Sequence, residues 1–165
     1  MTVKMDGITV RPYEQDDADG LWTLKQSFEL ELGQKDEEKG ERYEAKLTEE
    51  YRRGYLSWVA DCIERDDGCL IVAEDDELIG YAFVLPESLS FIWDAAVLNE
   101  LYLSSEYRGT DAATMLITAA LDHAREQTLP LDRMLLDVDP ANERARAFYE
   151  TFGFEPWAEM IGREL

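Results

Sequence analysis

The segment from residue 95 to residue 139 constrains the fold most. "AAVLNELYL" is a β-rich run, "DAATMLITAALDHAREQ" repeats apolar residues at helical spacing, and "RMLLDVD" is a second apolar run. Strand, helix and strand in that order form a crossover, which joins parallel strands of one sheet. Met115, Leu116, Ala119, Ala120 and Ala124 mark the inward face of the helix. The last run reads as a short strand buried on both faces.

The other elements are arranged around this unit. "GITVRP" alternates and stops at Pro12, as an edge strand does. A helix follows, with Asp16 or Asp17 as cap and Leu21, Leu24, Phe28 and Leu32 at helical spacing. Residues 33 to 42 are nearly all polar and read as a mobile connection. From Tyr43 to Arg65, Tyr43, Leu47, Tyr51, Tyr55, Trp58 and Cys62 share one helical stripe, which can pack a core or line a substrate pocket. "CLIVAE" and "LIGYAFVLP" flank "DDE", a hairpin signal. Pro140 and Asn142 turn the chain into a last helix, "ERARAFYETF", stopped by Gly153, and "FEPWAEMIGREL" reads as a terminal strand. The expectation is one α/β domain over residues 1–165. Its sheet is mixed and mostly antiparallel, with a central parallel strand pair, and helices flank it.

Charge limits the function. The chain has 165 residues and a formal net charge of −21, from 16 Lys and Arg against 37 Asp and Glu. That argues against a nucleic-acid binder, since phosphate backbones need a basic footprint. Acidic residues run along the whole chain and only five residues are Lys. Such an evenly acidic, Lys-poor composition suits a protein from a halophilic organism with molar salt in its cytoplasm. There the Debye length falls to about 3 Å and self-repulsion is screened. Cys62 and Cys69 make neither a disulfide framework nor a metal site. No stretch has the length and apolarity of a membrane span. A cytoplasmic protein with no metal, no membrane and no nucleic-acid partner is expected.

Two stretches carry more than pattern. "LYLSSEYRGTDAATML" is similar to the acetyl-CoA loop of the GCN5-related N-acetyltransferases, the GNAT family, and "NERARAFYETFGFEP" is similar to that family's second signature. "ITVRPYEQDDADGL" resembles its first strand and helix. The physics of the loop agrees. A helix N-terminus offers free N–H donors and a positive dipole end, and small residues let a pyrophosphate approach. Gly109, Thr110, Ala112 and Ala113 are small, and Arg108 can add a charge-assisted bond. Asp111 departs from the family, which has Gly there; its carboxylate caps a helix well and competes with phosphate for the same amides. Without a ligand, the stretch is an ordinary capped helix start.

The resemblance implies acetyl transfer from acetyl-CoA to a primary amine. It places Leu101, Tyr102 and Leu103 along the pantetheine arm, with Leu101 and Leu103 as backbone partners. Asn142 would bond the arm, and Ala145 belongs to the same signature. Tyr149 would protonate the leaving thiolate, a role that suits a phenol of pKa near 10. Glu100 is the candidate base, and alternation puts Asn99 on the opposite face from it. Asp94 and Glu31 are the other candidate bases. His123, beside Asp122, reads as structural or surface. The alternative to an enzyme is a non-catalytic coenzyme A-binding sensor or regulatory module. Strands exposed near the C-terminus leave room for a homodimer.

Overall fold

Asp6 and Gly7 both have positive φ, 50° and 86°, and close a tight hairpin at the start of the chain. The computed structural model describes residues 1–34 and 37–165. The hairpin pairs β1 (Val3–Met5) with β2 (Ile8–Pro12). Three helices follow: α1 (Ala18–Gly33), α2 (Glu37–Lys46) and α3 (Glu49–Arg65). Then come β3 (Leu70–Asp75), β4 (Glu77–Val84), β5 (Ala96–Leu103), α4 (Ala112–Glu126), β6 (Met134–Leu135) and α5 (Glu143–Thr151). The six strands lie in sequence order; all pairs are antiparallel except β5 with β6. The expected mixed, mostly antiparallel sheet is therefore formed, but its parallel pair, β5 with β6, lies at one edge of the described sheet and not at its centre.

The sheet separates two packed layers. Val10, Ile71, Ala82, Leu98, Leu116 and Ile117 belong to the layer under α4, against which Phe148 and Tyr149 of α5 pack. Leu21, Val59, Leu70, Val72, Tyr81 and Phe83 belong to the layer under α1 and α3. Alternate residues of β3 feed opposite layers, as a strand buried on both faces requires. Gly80 permits the close approach of β4 and β5: a Cβ there would lie 2.7 Å from the Tyr102 carbonyl oxygen.

Several sequence expectations are corrected. The hairpin partner β1 was hidden because all three of its residues are exposed and show no alternation. Of residues 33–42, where a mobile connection is expected, Gly33 ends α1 and residues 37–42 belong to α2, while residues 35 and 36 lie outside the described residues. The stripe from Tyr43 to Arg65 is broken in two, because the Thr48 side chain accepts the Tyr51 N–H at 3.2 Å and starts α3 afresh. Asp17 occupies the cap position of α1, yet its carboxylate takes the Glu14 N–H and the Arg11 guanidinium instead. Strand β6 has only two half-buried residues, so it is not a strand buried on both faces. Residues 154–165 form no strand: β6 offers too short a ladder, and Pro156 has no N–H to give.

Candidate active site

Strand β5 carries the site. It pairs with β6 only at Ala96 and Val97, and from Leu98 to Leu103 that edge has no strand partner among the described residues. On its other side the register with β4 slips, with Phe83 opposite Glu100 and Val84 opposite Leu98. Asn99 is thus the extra residue of a β-bulge. The bulge defeats the alternation expected from sequence: Asn99 and Glu100 line the same cleft. That cleft, about 410 Å³, is completed by Lys25 of α1 and by Tyr51, Gly54, Tyr55 and Trp58 of α3.

Glu100 is 4 % exposed and fully engaged. Lys25 Nζ donates to its Oε1, and the Tyr55 hydroxyl donates to its Oε2 at 3.0 Å. Lys25 also bonds Glu29 Oε1 at 2.6 Å, and Lys46 Nζ lies 2.8 Å from Glu29 Oε2. Two cations and two anions therefore alternate inward from the surface. Burial lowers the Lys25 ammonium, but Glu100 and then Glu29 outweigh it, and the net shift is upward from 10.5. Burial, with help from Glu100, raises the Tyr55 phenol well above 10. The carboxylate is buried and paired, not solvated.

At its C-terminal end β5 runs into the turn before α4. Gly109 has φ +84°, a conformation that favours glycine, and a Cβ there would meet nothing within 4 Å. The amides of Gly109, Asp111, Ala113 and Thr114 have no protein acceptor among the described residues. Ala112 N–H is turned to Thr110 Oγ1 at 3.3 Å. The loop is thus open toward solvent, with free donors at a helix N-terminus. Asp111 is exposed and its side chain caps nothing. With Asp6, Asp75, Tyr107 and Thr110 it borders a recess of about 330 Å³. Arg108 points elsewhere: its Nε bonds the Leu103 carbonyl at 3.0 Å and its Nη2 holds Glu31 at 2.6 and 2.8 Å.

Tyr149 lies across the sheet from Glu100, in the layer that also holds Leu98 and Leu101. Burial pushes its phenol up to about 12, and its hydroxyl has no hydrogen-bond partner among the described residues. Asn142 caps α5, its Oδ1 accepting the Ala145 N–H at 3.2 Å. Ser104 N–H bonds the Ile79 carbonyl of the β4 side at 2.8 Å, so by strand alternation the backbone groups of Leu101 and Leu103 face the open edge and those of Tyr102 face β4. Asp94 and Glu31 do not line the cleft; Asp94 accepts the Leu131 N–H through its carbonyl. His123 lies 3.1 Å from Asp66, remote from the cleft. Sequence reasoning missed Lys25. Its one signal is Glu29 four residues on, placed on the buried side of α1 beside Leu21 and Leu24. No group of residues suited to a metal occurs among the described residues, and no helix is long and apolar enough to cross a membrane.

Residues 29–154 match the model of the acetyltransferase (GNAT) family. No curated protein matches the chain. Among solved structures, the PaiA N-acetyltransferase of Thermoplasma acidophilum in complex with coenzyme A is similar, with 22% identity, a TM-score of 0.71, and coverage of 90% of this chain and 89% of that one. The aminoglycoside N-acetyltransferase AAC(6')-Iy in complex with CoA has 13% identity and a TM-score of 0.71, over 100% of this chain and 96% of that one. The ribosomal-protein-alanine N-acetyltransferase of Brucella melitensis has 20% identity and a TM-score of 0.68, over 88% and 83%.

Proposed function

Because the chain belongs to the acetyltransferase (GNAT) family, we propose that it moves an acetyl group from acetyl-CoA to a primary amine by direct attack. The observation that carries this reading is the free edge of β5, with the open loop at one end and the bulge and cleft at the other. From Leu103 back to Asn99 is four residues, about 13 Å of extended chain. A pantetheine arm can bond Leu101 and Leu103 along that edge as an added strand would. The residues fit the ligand: Gly109 leaves its side open, and the amides of Gly109, Asp111, Ala113 and Thr114, unpaired among the described residues, are donors for a pyrophosphate. Thr110, Ala112 and Ala113 keep the approach clear, while Asn142 and Ala145 lie at the start of α5.

Acetyl-CoA supplies an activated thioester. The amine nitrogen forms a bond to the carbonyl carbon, and the carbon–sulfur bond breaks. Tyr149 gives its proton to the departing sulfur and regains one from solvent. Burial keeps this phenol protonated at neutral pH, so the proton is there to give, although at about 12 it is a weaker acid than a free phenol. Glu100 is the carboxylate at the acceptor end. Lys25 and Tyr55 already donate to it and fix its position. Its part is to orient the amine and pass the proton on to water, not to hold it.

The test is transfer itself. Wild type in molar salt, given acetyl-CoA and primary amines, is expected to release one coenzyme A thiol per amine acetylated. Release of thiol without acetylated amine contradicts the reading.

A further inference from the structure

The acceptor cleft differs in chemistry from the rest of the surface. Tyr51, Gly54, Tyr55 and Trp58 occur at spacings of three, one and three, so one face of α3 forms an aromatic wall. Tyr51 and Tyr55 are parallel, with an interplanar angle of 1° and centroids 6.5 Å apart; Trp58 is tilted 49° to Tyr55 at 6.3 Å. Trp58 is 37 % exposed, an unusual position for an indole that also packs edge-on against buried Phe83. Gly54 leaves a gap in the wall, since a Cβ there would meet nothing within 4 Å.

The charges of the cleft cancel. Glu100 is the only carboxylate lining it among the described residues, and Lys25 neutralises it. On a chain of net charge −21, the cleft has no unpaired carboxylate among the described residues that line it. A polyamine or an aminoglycoside carries several cations, and each needs its own counter-charge or its water. The cleft provides neither. It provides flat apolar faces beside one oriented carboxylate and the Asn99 amide. Building on the acetyl-transfer reading, we propose that the acceptor is a small monoamine with an aromatic ring one or two carbons from its nitrogen. The ring stacks between Trp58 and Tyr51 over Gly54, and the amine reaches toward Asn99 and Glu100.

The experiment uses 2-phenylethylamine, n-propylamine and spermidine, in molar KCl, on the coenzyme A complex. Calorimetry gives the three affinities without needing turnover, and an acetylation assay gives kcat/KM. The expected order places 2-phenylethylamine about tenfold or more ahead of the other two, from apolar burial and ring contacts. Trp58→Ala is expected to cut the phenylethyl-to-propyl ratio about tenfold, and Gly54→Leu, which fills the gap and removes no group, to do the same. Acetyl-CoA affinity checks that each variant is folded. Tighter binding of spermidine than of 2-phenylethylamine overturns the proposal, as does a selectivity ratio that neither variant moves. Selective binding of 2-phenylethylamine with no acetylation upholds the cleft chemistry and overturns the transfer reading instead.

Discussion

Lys25 of α1 and Glu100 of β5, 75 residues apart in sequence, form an ion pair at 5 % and 4 % exposure beneath the candidate acceptor cleft. A buried pair contributes little net stability as a pair, yet removing one partner is costly. The other member is then left charged in a poor solvent.

Lys25→Met is accordingly expected to destabilise the protein by about 3–5 kcal/mol, read as a lower urea midpoint with unchanged slope. Adding Glu100→Gln should recover part of the loss, because Glu29 keeps Lys46 as its counter-ion. The pH dependence has a definite sign. The Lys25 value is raised in the fold, so its stabilisation is complete below 10.5 and disappears as pH rises through the folded value. Burial opposes the Glu29 charge, but Lys25 and Lys46 prevail and its value falls below 4.5. Its contribution is therefore present above 4.5 and lost as pH falls through the lower folded value. Wild type should lose stability at both extremes, and Lys25→Met should show a smaller alkaline loss, the remainder coming from buried phenols such as Tyr55 and Tyr149 whose values are also raised in the fold. A variant as stable as wild type shows that the pair is dispensable.

Tyr149→Phe is expected to lower kcat by about 10²–10⁴-fold while acetyl-CoA affinity stays close to wild type, because the hydroxyl acts only as the thiolate departs. With its phenol at about 12, Tyr149 should give no alkaline break in the pH–rate profile below that value. Single-turnover kinetics makes the measurement. An unchanged rate removes Tyr149 from the chemistry.

Asn142 separates capping from ligand binding. Asn142→Asp keeps an oxygen for the Ala145 N–H, whereas Asn142→Ala loses the cap and about 1 kcal/mol of stability. If the Asn142 amide also bonds the pantetheine arm, both variants raise the acetyl-CoA KM. Thermal melts and KM values are measured together. A KM that moves only in Asn142→Ala assigns Asn142 to the helix alone.

Asp111→Gly is expected to tighten acetyl-CoA binding at low salt, with a gain that shrinks as salt rises. Asp111 caps nothing, so its removal costs the helix little, while Asp6 and Asp75 border the same recess and keep it acidic. Calorimetry across a salt series in which both proteins stay folded gives the comparison. Equal affinities at every salt mean that Asp111 faces away from the ligand.

The sequence showed what short-range pattern controls. The crossover from β5 through α4 to β6 was legible because apolar spacing changes from strand to helix and back, and Gly109 was legible as a loop residue. The cleft was only half legible. Tyr51, Tyr55 and Trp58 stood out as a stripe, but which residues share a cleft depends on the bulge at Asn99, a register slip between distant strands that no local pattern encodes. Glu100 was found and its state was not, because Lys25 reaches it only when α1 packs on β5. Strand β1 escaped for the opposite reason: both faces are exposed, so no periodicity marks it, although Asp6-Gly7 is a hairpin signal.

The central claim is that this site transfers acetyl groups and does not merely bind coenzyme A. The most direct measurement is mass spectrometry of the amine after incubation with isotope-labelled acetyl-CoA in molar salt, wild type beside Tyr149→Phe. The account predicts labelled acetyl on the amine, one per thiol released, and a much slower yield from the variant. Binding of acetyl-CoA at the loop with no labelled amine, and no difference between the two proteins, would contradict it and identify a coenzyme A-binding module.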